Sequence, residues 1–177
     1  MKRIPVLFVV FLAACNPQPA HAPVQPAASA KPTAPAYTIT GHGEHGKPAR
    51  IFEQNGNRKV YQIVTPSYAS KSAQSLSQAQ FAHPTVTFYD KDGSTMTATA
   101  PQASVRSGKQ VVLSGGVQAK TSSGMTLTCD ELTYDQHTEM IAGTGHVRIT
   151  GMQGGSQQTL TGSRFTSDVK LTNMVIN

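Results

Sequence analysis

Residues with chemical potential are few in this chain and lie far apart. His42-Gly43-Glu44-His45 brings two imidazoles and a carboxylate together, residue types that hold divalent metals. A helical zinc site of the His-Glu-x-x-His kind spaces its histidines so that both lie on one helix face. Here they are three apart, among glycines, with no third ligand evident, and no metal is expected. Asp130, Glu131, Asp135 and Asp168 are the acids from which a sugar-cleaving enzyme would need a pair roughly 5–9 Å apart. They fall instead at strand ends and turns, where Asp ordinarily serves the backbone. Asp135 and Asp168 occupy equivalent places in an internal repeat, which turn architecture explains more simply than catalysis. There is no Gly-x-Ser-x-Gly, P-loop or dinucleotide fingerprint. These patterns predict no catalytic residue, no metal and no cofactor, and the chain reads as a non-enzyme.

Covalent chemistry is expected at one thiol. Lys2 and Arg3 precede a short apolar stretch from Ile4 to Ala14, and Leu12-Ala13-Ala14-Cys15 matches the lipobox of bacterial lipoprotein signal peptides. Small residues at 13 and 14 fit a peptidase pocket, and the Cys15 thiol is the nucleophile that accepts diacylglycerol. As a helix the apolar stretch would span about 17 Å, against a hydrocarbon core of about 30 Å, the proportion of a signal h-region. Residues 1–14 are therefore read as a signal peptide, with an uncleaved anchor as the alternative. Two or three acyl chains on Cys15, at about 0.8 kcal/mol per methylene, suffice for stable membrane attachment. Asn16 follows, rather than the Asp of inner-membrane retention, so position 16 leaves the membrane open. Residues 15–36 form a tether rich in Pro and Ala, with prolines at 17, 19, 23, 26, 32 and 35. Such a segment extends rather than packs, to roughly 65 Å at about 3.1 Å per residue. Residues 37–177 remain for one folded domain.

The second of the two cysteines, Cys129, has no partner once Cys15 is acylated. It lies in the alternating run Met125-x-Leu127-x-Cys129, the setting of a buried small hydrophobe.

What positions these residues is a repeated β-unit. Thr99 to Val105 with Val111 to Val117 is answered by Leu127 to Asp135 with Ile141 to Val147, then by Leu160 to Asp168 and a fading Val169-Lys170-Leu171. Each copy reads strand, turn, strand, with a period of roughly 30 residues, in the range of stacked β-units. One unit cannot bury its own apolar face, so neighbours must share an interior. Upstream, Tyr37-Thr38-Ile39 opens the domain, and Val60 to Val64 and Val86 to Tyr89 are short strands. Asp90-Lys91-Asp92-Gly93 is a turn in which Gly93 supplies a positive φ. Residues 69–82 admit two readings, a polar strand with a loop or a short helix. The alternation predicts an in-facing set of Val86, Phe88, Val111, Leu113, Val117, Leu127, Cys129, Leu132, Tyr134, Ile141, Val147, Ile149, Leu160, Phe165 and Leu171.

Composition agrees with an all-β class. Charged residues make up 14% against a usual figure of about 25%; Thr, Ser, Gln and Gly fill the gap, as in strands with polar outer faces. Loss of Lys2 and Arg3 with the signal leaves +4 of the formal +6. The remaining basic residues are scattered and not interleaved with aromatics, so no nucleic-acid surface is expected. A mild positive field suits anionic lipid or membrane partners, and equally an ordinary soluble surface.

Val112-Leu113-Ser114-Gly115-Gly116-Val117, Leu127 through Asp135, and Gly145-His146-Val147-Arg148-Ile149 resemble the OstA-like repeat of lipopolysaccharide-transport proteins. Together with Tyr61-Gln62-Ile63, Pro84-Thr85-Val86-Thr87-Phe88-Tyr89 and the Thr97 to Ala103 strand, the arrangement is similar to the LptC family over residues 51–175. The resemblance implies a β-jellyroll of two facing antiparallel sheets, with the in-facing set lining an apolar groove for lipid A acyl chains. It implies a periplasmic protein that takes lipopolysaccharide from the permeases of an inner-membrane ABC transporter. The cargo would pass to an LptA-like bridge protein through sheet-edge stacking. Members usually carry a membrane-spanning helix; the lipobox and tether would replace it, with a lipid anchor expected in the inner membrane. Two alternatives remain from the sequence: an LptA-like bridge of the same pathway, or a structural β-repeat lipoprotein whose interior is a closed core that binds no lipid.

Overall fold

The computed structural model describes residues 37–42, 47–73, 76–107 and 109–177. Among them are thirteen strands and no helix. They are β1 Tyr37–His42, β2 Ala49–Asn55, β3 Arg58–Thr65, β4 Ser67–Ala73, β5 Leu76–Ala82, β6 Thr85–Tyr89, β7 Thr95–Thr99, β8 Gln102–Arg106, β9 Gln110–Thr121, β10 Thr126–Asp135, β11 Met140–Gln153, β12 Ser156–Asp168 and β13 Val175–Ile176. All pairings are antiparallel.

The long strands β9 to β12 each belong to two layers. β9 pairs β8 over residues 110–114 and β7 over residues 118–121. Between those stretches lie Gly115 and Gly116, with φ of +91° and +97°. Only glycine takes such angles without a Cβ penalty. The register also shifts at Asp130 in β10 and at Gly145-His146 in β11. These are β-bulges, which bend a strand and sharpen its twist. Aligned across neighbouring strands, they fold the ladder along one line. A Cβ on Gly145 would overlap the Asp130 carboxylate, so the bend is also sterically tight.

One layer, the first sheet, runs β1-β4-β5-β8 and continues into 110–114 of β9, 131–135 of β10, 140–144 of β11, 164–168 of β12 and β13. The second sheet runs β2-β3-β6-β7 into 117–121, 126–129, 147–153 and 156–162 of the same four strands. The internal repeat is this crossing. In the first copy the crossing strand is cut at Ala100-Pro101, where proline lacks a ladder N–H, and the two halves become β7 and β8.

Inner faces alternate with outer ones along β6, β7 and, on either side of their bulges, β9 and β10, as period two requires. Ile63, Phe88, Met96, Leu113, Leu132, Tyr134 and Ile141 have no exposed surface, and one contiguous apolar cluster fills the space between the sheets. Each large side chain so buried contributes about 1.5–3 kcal/mol. Phe88 and Tyr134 meet across the gap with ring centroids 4.8 Å apart.

Two readings of the sequence are resolved. Residues 69–73 and 76–82 lie in the paired strands β4 and β5, not in a helix; Tyr68 pairs Phe81 on the inner face while Ala69 pairs Gln80 on the outer. Helix-compatible Ala, Ser and Gln yield to ladder bonds from β1 on one side and β8 on the other. Asp90 to Gly93 is the expected turn, with Gly93 at φ +86° and its N–H donating to the Asp90 carbonyl at 3.2 Å. The signal peptide, Cys15 and the 15–36 tether lie outside the described residues, as do Glu44 and His45 of the histidine segment.

Candidate functional site

The main apolar feature among the described residues is the buried cluster between the sheets. Of the expected in-facing set, Val86, Phe88, Val111, Leu113, Val117, Leu127, Cys129, Leu132, Tyr134, Ile141, Val147, Ile149, Phe165 and Leu171 are all brought into that cluster. Leu160 is not; it is 47% exposed. Its register partner is Ile149, so it shares the inner face of the second sheet. Residues 156–162 of β12 pair only β11, however, and this edge projects past the cover of the opposite sheet.

Leu160 therefore stands at an opening. A cavity of about 240 Å³ lies beside it, lined by Met125, Ile149, Met152, Leu160, Leu171 and Met174, with Gln158 and Thr172 among the polar margin. Three methionines at one mouth make a surface that can repack around irregular apolar shapes. Met152 is 71% exposed. The alternation marked Met125 only as a neighbour of Leu127; nothing local in the sequence joins it to Met152 and Met174. A larger depression of about 630 Å³ lies against β4, β5 and β8, where Tyr68, Phe81 and Ala103 mix with Gln78, Gln80, Gln102, Ser104 and Arg106. The smaller cavity is the more apolar of the two by the residues that line it.

Among the described residues the titratable groups do not converge on a reacting centre. Asp135 accepts the backbone N–H of His137 at 2.8 Å and of Thr138 at 3.1 Å. Asp168 accepts that of Thr172 at 2.8 Å and the Asn173 amide at 3.0 Å. Their equivalence in the repeat is one of turn capping. Asp130 meets His146 Nδ1 at 2.8 Å on the outer side of the bend. Burial, aided by the Asp130 and Glu131 charges, pushes the Cys129 thiol up to about 12; it is a neutral core side chain, not a nucleophile.

Backbone edges are the second feature of the site. β2 pairs only β3, and the outer side of residues 156–162 is unpaired among the described residues. The remainder of β12 is covered by β13 and by Asn177, whose carbonyl accepts the N–H groups of Ser163 and Arg164. A bare ladder edge beside an apolar opening is a template for adding another strand.

Fold and site together define a two-sheet β-jellyroll with an apolar interior that opens at a sheet edge. The profile of the family described as lipopolysaccharide-assembly, LptC-related, matches residues 6–176. The chain belongs to that family, and its role lies in lipopolysaccharide transport as a component of the periplasmic pathway. No curated protein matches the chain.

Proposed function

We propose that this jellyroll carries lipopolysaccharide by burying lipid A acyl chains between its sheets and passing the molecule on at a sheet edge. The observation that supports this most is the Met125, Met152, Leu160 and Met174 opening, which leads toward the buried cluster and adjoins the unpaired backbone of residues 156–162. Burial of acyl surface at about 25 cal/mol per Å² provides affinity without specific chemistry. Transfer then needs only similar affinities on either side of the step, with ATP hydrolysis elsewhere setting direction.

In this reading residues 1–14 are removed, Cys15 is diacylated, and residues 15–36 tether the 37–177 domain to the inner membrane. The permeases of the lipopolysaccharide ABC transporter deliver cargo, and an LptA-like bridge protein receives it by stacking strands. Catalysis, metal and cofactor play no part. In-cell photo-crosslinking tests it, with the reactive residue at Leu160 or Leu127 and a control at exposed Lys109. Carriage gives an ATP-dependent lipopolysaccharide adduct at the first two positions only. A second reading, a structural β-repeat lipoprotein, draws on the packed interior, where Phe88, Leu113 and Leu132 show no exposed surface. It gives protein adducts or none, from protein at normal levels.

A further inference from the structure

Four ion pairs between lysine or arginine and a carboxylate occur among the described residues, and all four tie one sheet to the other at the same end. Arg58, opening β3 of the second sheet, donates from Nη2 to Glu139 Oε1 at 2.6 Å. Glu139 lies in the β10–β11 turn of the first sheet, and its Oε2 takes Lys91 Nζ at 3.0 Å. Lys91 belongs to the β6–β7 turn, which also presents Asp90 and Asp92 to Lys170 at 3.3 Å and 3.0 Å. Lys170 sits between Val169 and Leu171, both buried, in a segment that follows β12 and lines the methionine cavity through Leu171 and Met174.

The two sheets share their backbone at the bend, so they can separate only at the opposite side, where these turns lie. We propose that Arg58, Lys91, Glu139, Lys170, Asp90 and Asp92 form an ionic latch that holds the interior shut, with the Asp90–Gly93 turn as its bolt. This deepens the carrier reading by supplying the movement that a packed interior requires before anything enters. The latch is built to release. Its members are only partly covered, with side-chain exposures of 28% and 22% for Arg58 and Glu139, and such pairs are weak and screened by salt. Just inside, Arg58 Nη1 and Tyr134 Oη are buried with no hydrogen-bond partner among the described residues. Leu171 adds a left-handed backbone at φ +60°, costly for a branched side chain.

Cys129, on the inner face and 4% exposed, reports opening without any cargo, so failure of the latch is separable from failure of lipid binding. The full chain is treated with N-ethylmaleimide, an uncharged reagent, and the adduct is mapped to Cys129 by peptide mass spectrometry. A latch makes labelling rise with salt in the wild type. Lys170→Glu raises the rate at least tenfold and weakens the salt response, the two Glu139 pairs remaining, and adding Asp92→Lys restores slow, fully salt-sensitive labelling. His146→Asn, which removes the imidazole that meets Asp130 at the bend, leaves the rate unchanged. Rates that ignore salt and these substitutions, or that simply follow global stability to urea across all variants, would overturn the latch. If Lys170→Glu does not fold, the salt titration of the wild type decides alone.

Discussion

The bend and the mouth join the same two sheets by opposite means. At the bend, four strands run continuously from one sheet into the other, and the tight corners are made by glycines and by His146 at φ +46°. At the mouth no strand crosses; turns meet through long, partly exposed charged side chains. Backbone continuity cannot be exchanged for water, whereas a lysine–carboxylate pair can. Under the proposed carriage of acyl chains, this asymmetry provides one side that holds registry and one that yields.

The sharpest way to break the comparison is at the shared spine. Phe165 is 2% exposed and sits where the Gly143 backbone makes room for its ring. Phe165→Ala is expected to lower unfolding free energy by about 3–5 kcal/mol, read from urea denaturation. Gly145→Val forces a β-branched residue into φ +74° against Asp130; a loss of about 2–3 kcal/mol is expected. At the mouth the effect on stability is far smaller. Glu139→Gln breaks two partly exposed pairs and is expected to cost about 1 kcal/mol in the same experiment. A large loss there and a small one at Gly145 would invert the assignment of spine and latch.

Acid sharpens the same contrast. Hydrogen bonds from the Ser94 backbone and from Lys170 lower the Asp92 carboxyl to about 2. Burial pushes Glu139 upward, but Lys91 and Arg58 outweigh it and its carboxyl titrates below the usual 4.5. Both values are depressed in the folded chain, so their stabilisation is complete above the unfolded values of 3.8 and 4.5 and is lost as pH falls through the folded ones. Cys129 labelling, corrected for the thiol's own titration, is expected to stay level from about pH 7 to 5 and to rise below about 4.

Much of this architecture was legible in the chain. Period-two alternation assigns inner and outer faces from Val86 to Leu171, and the Gly-Val repeat announces stacked β-units. Its physical meaning was not legible: Gly115-Gly116 and Gly145-His146 sit inside the repeat's strands but mark where those strands change sheet. Leu160 shows the limit of alternation, which gives the face a side chain takes and not what stands opposite. The strand pairing of residues 69–73 with 76–82 was hidden because Ser, Ala and Gln alternate without apolar contrast. The latch was beyond reach, since Arg58 and Glu139 are 81 positions apart and Lys170 and Asp92 are 78 apart. Charge pairing at such range is set by topology.

The most direct measurement is Cys129 labelling of purified full chain in high salt, with and without lipopolysaccharide, and with a de-acylated derivative that keeps the same sugars and phosphates. An interior that takes acyl chains is protected by lipopolysaccharide in a saturable way and not by the de-acylated form. Equal rates in all three samples, or protection by the de-acylated form alone, would contradict carriage within the sheets.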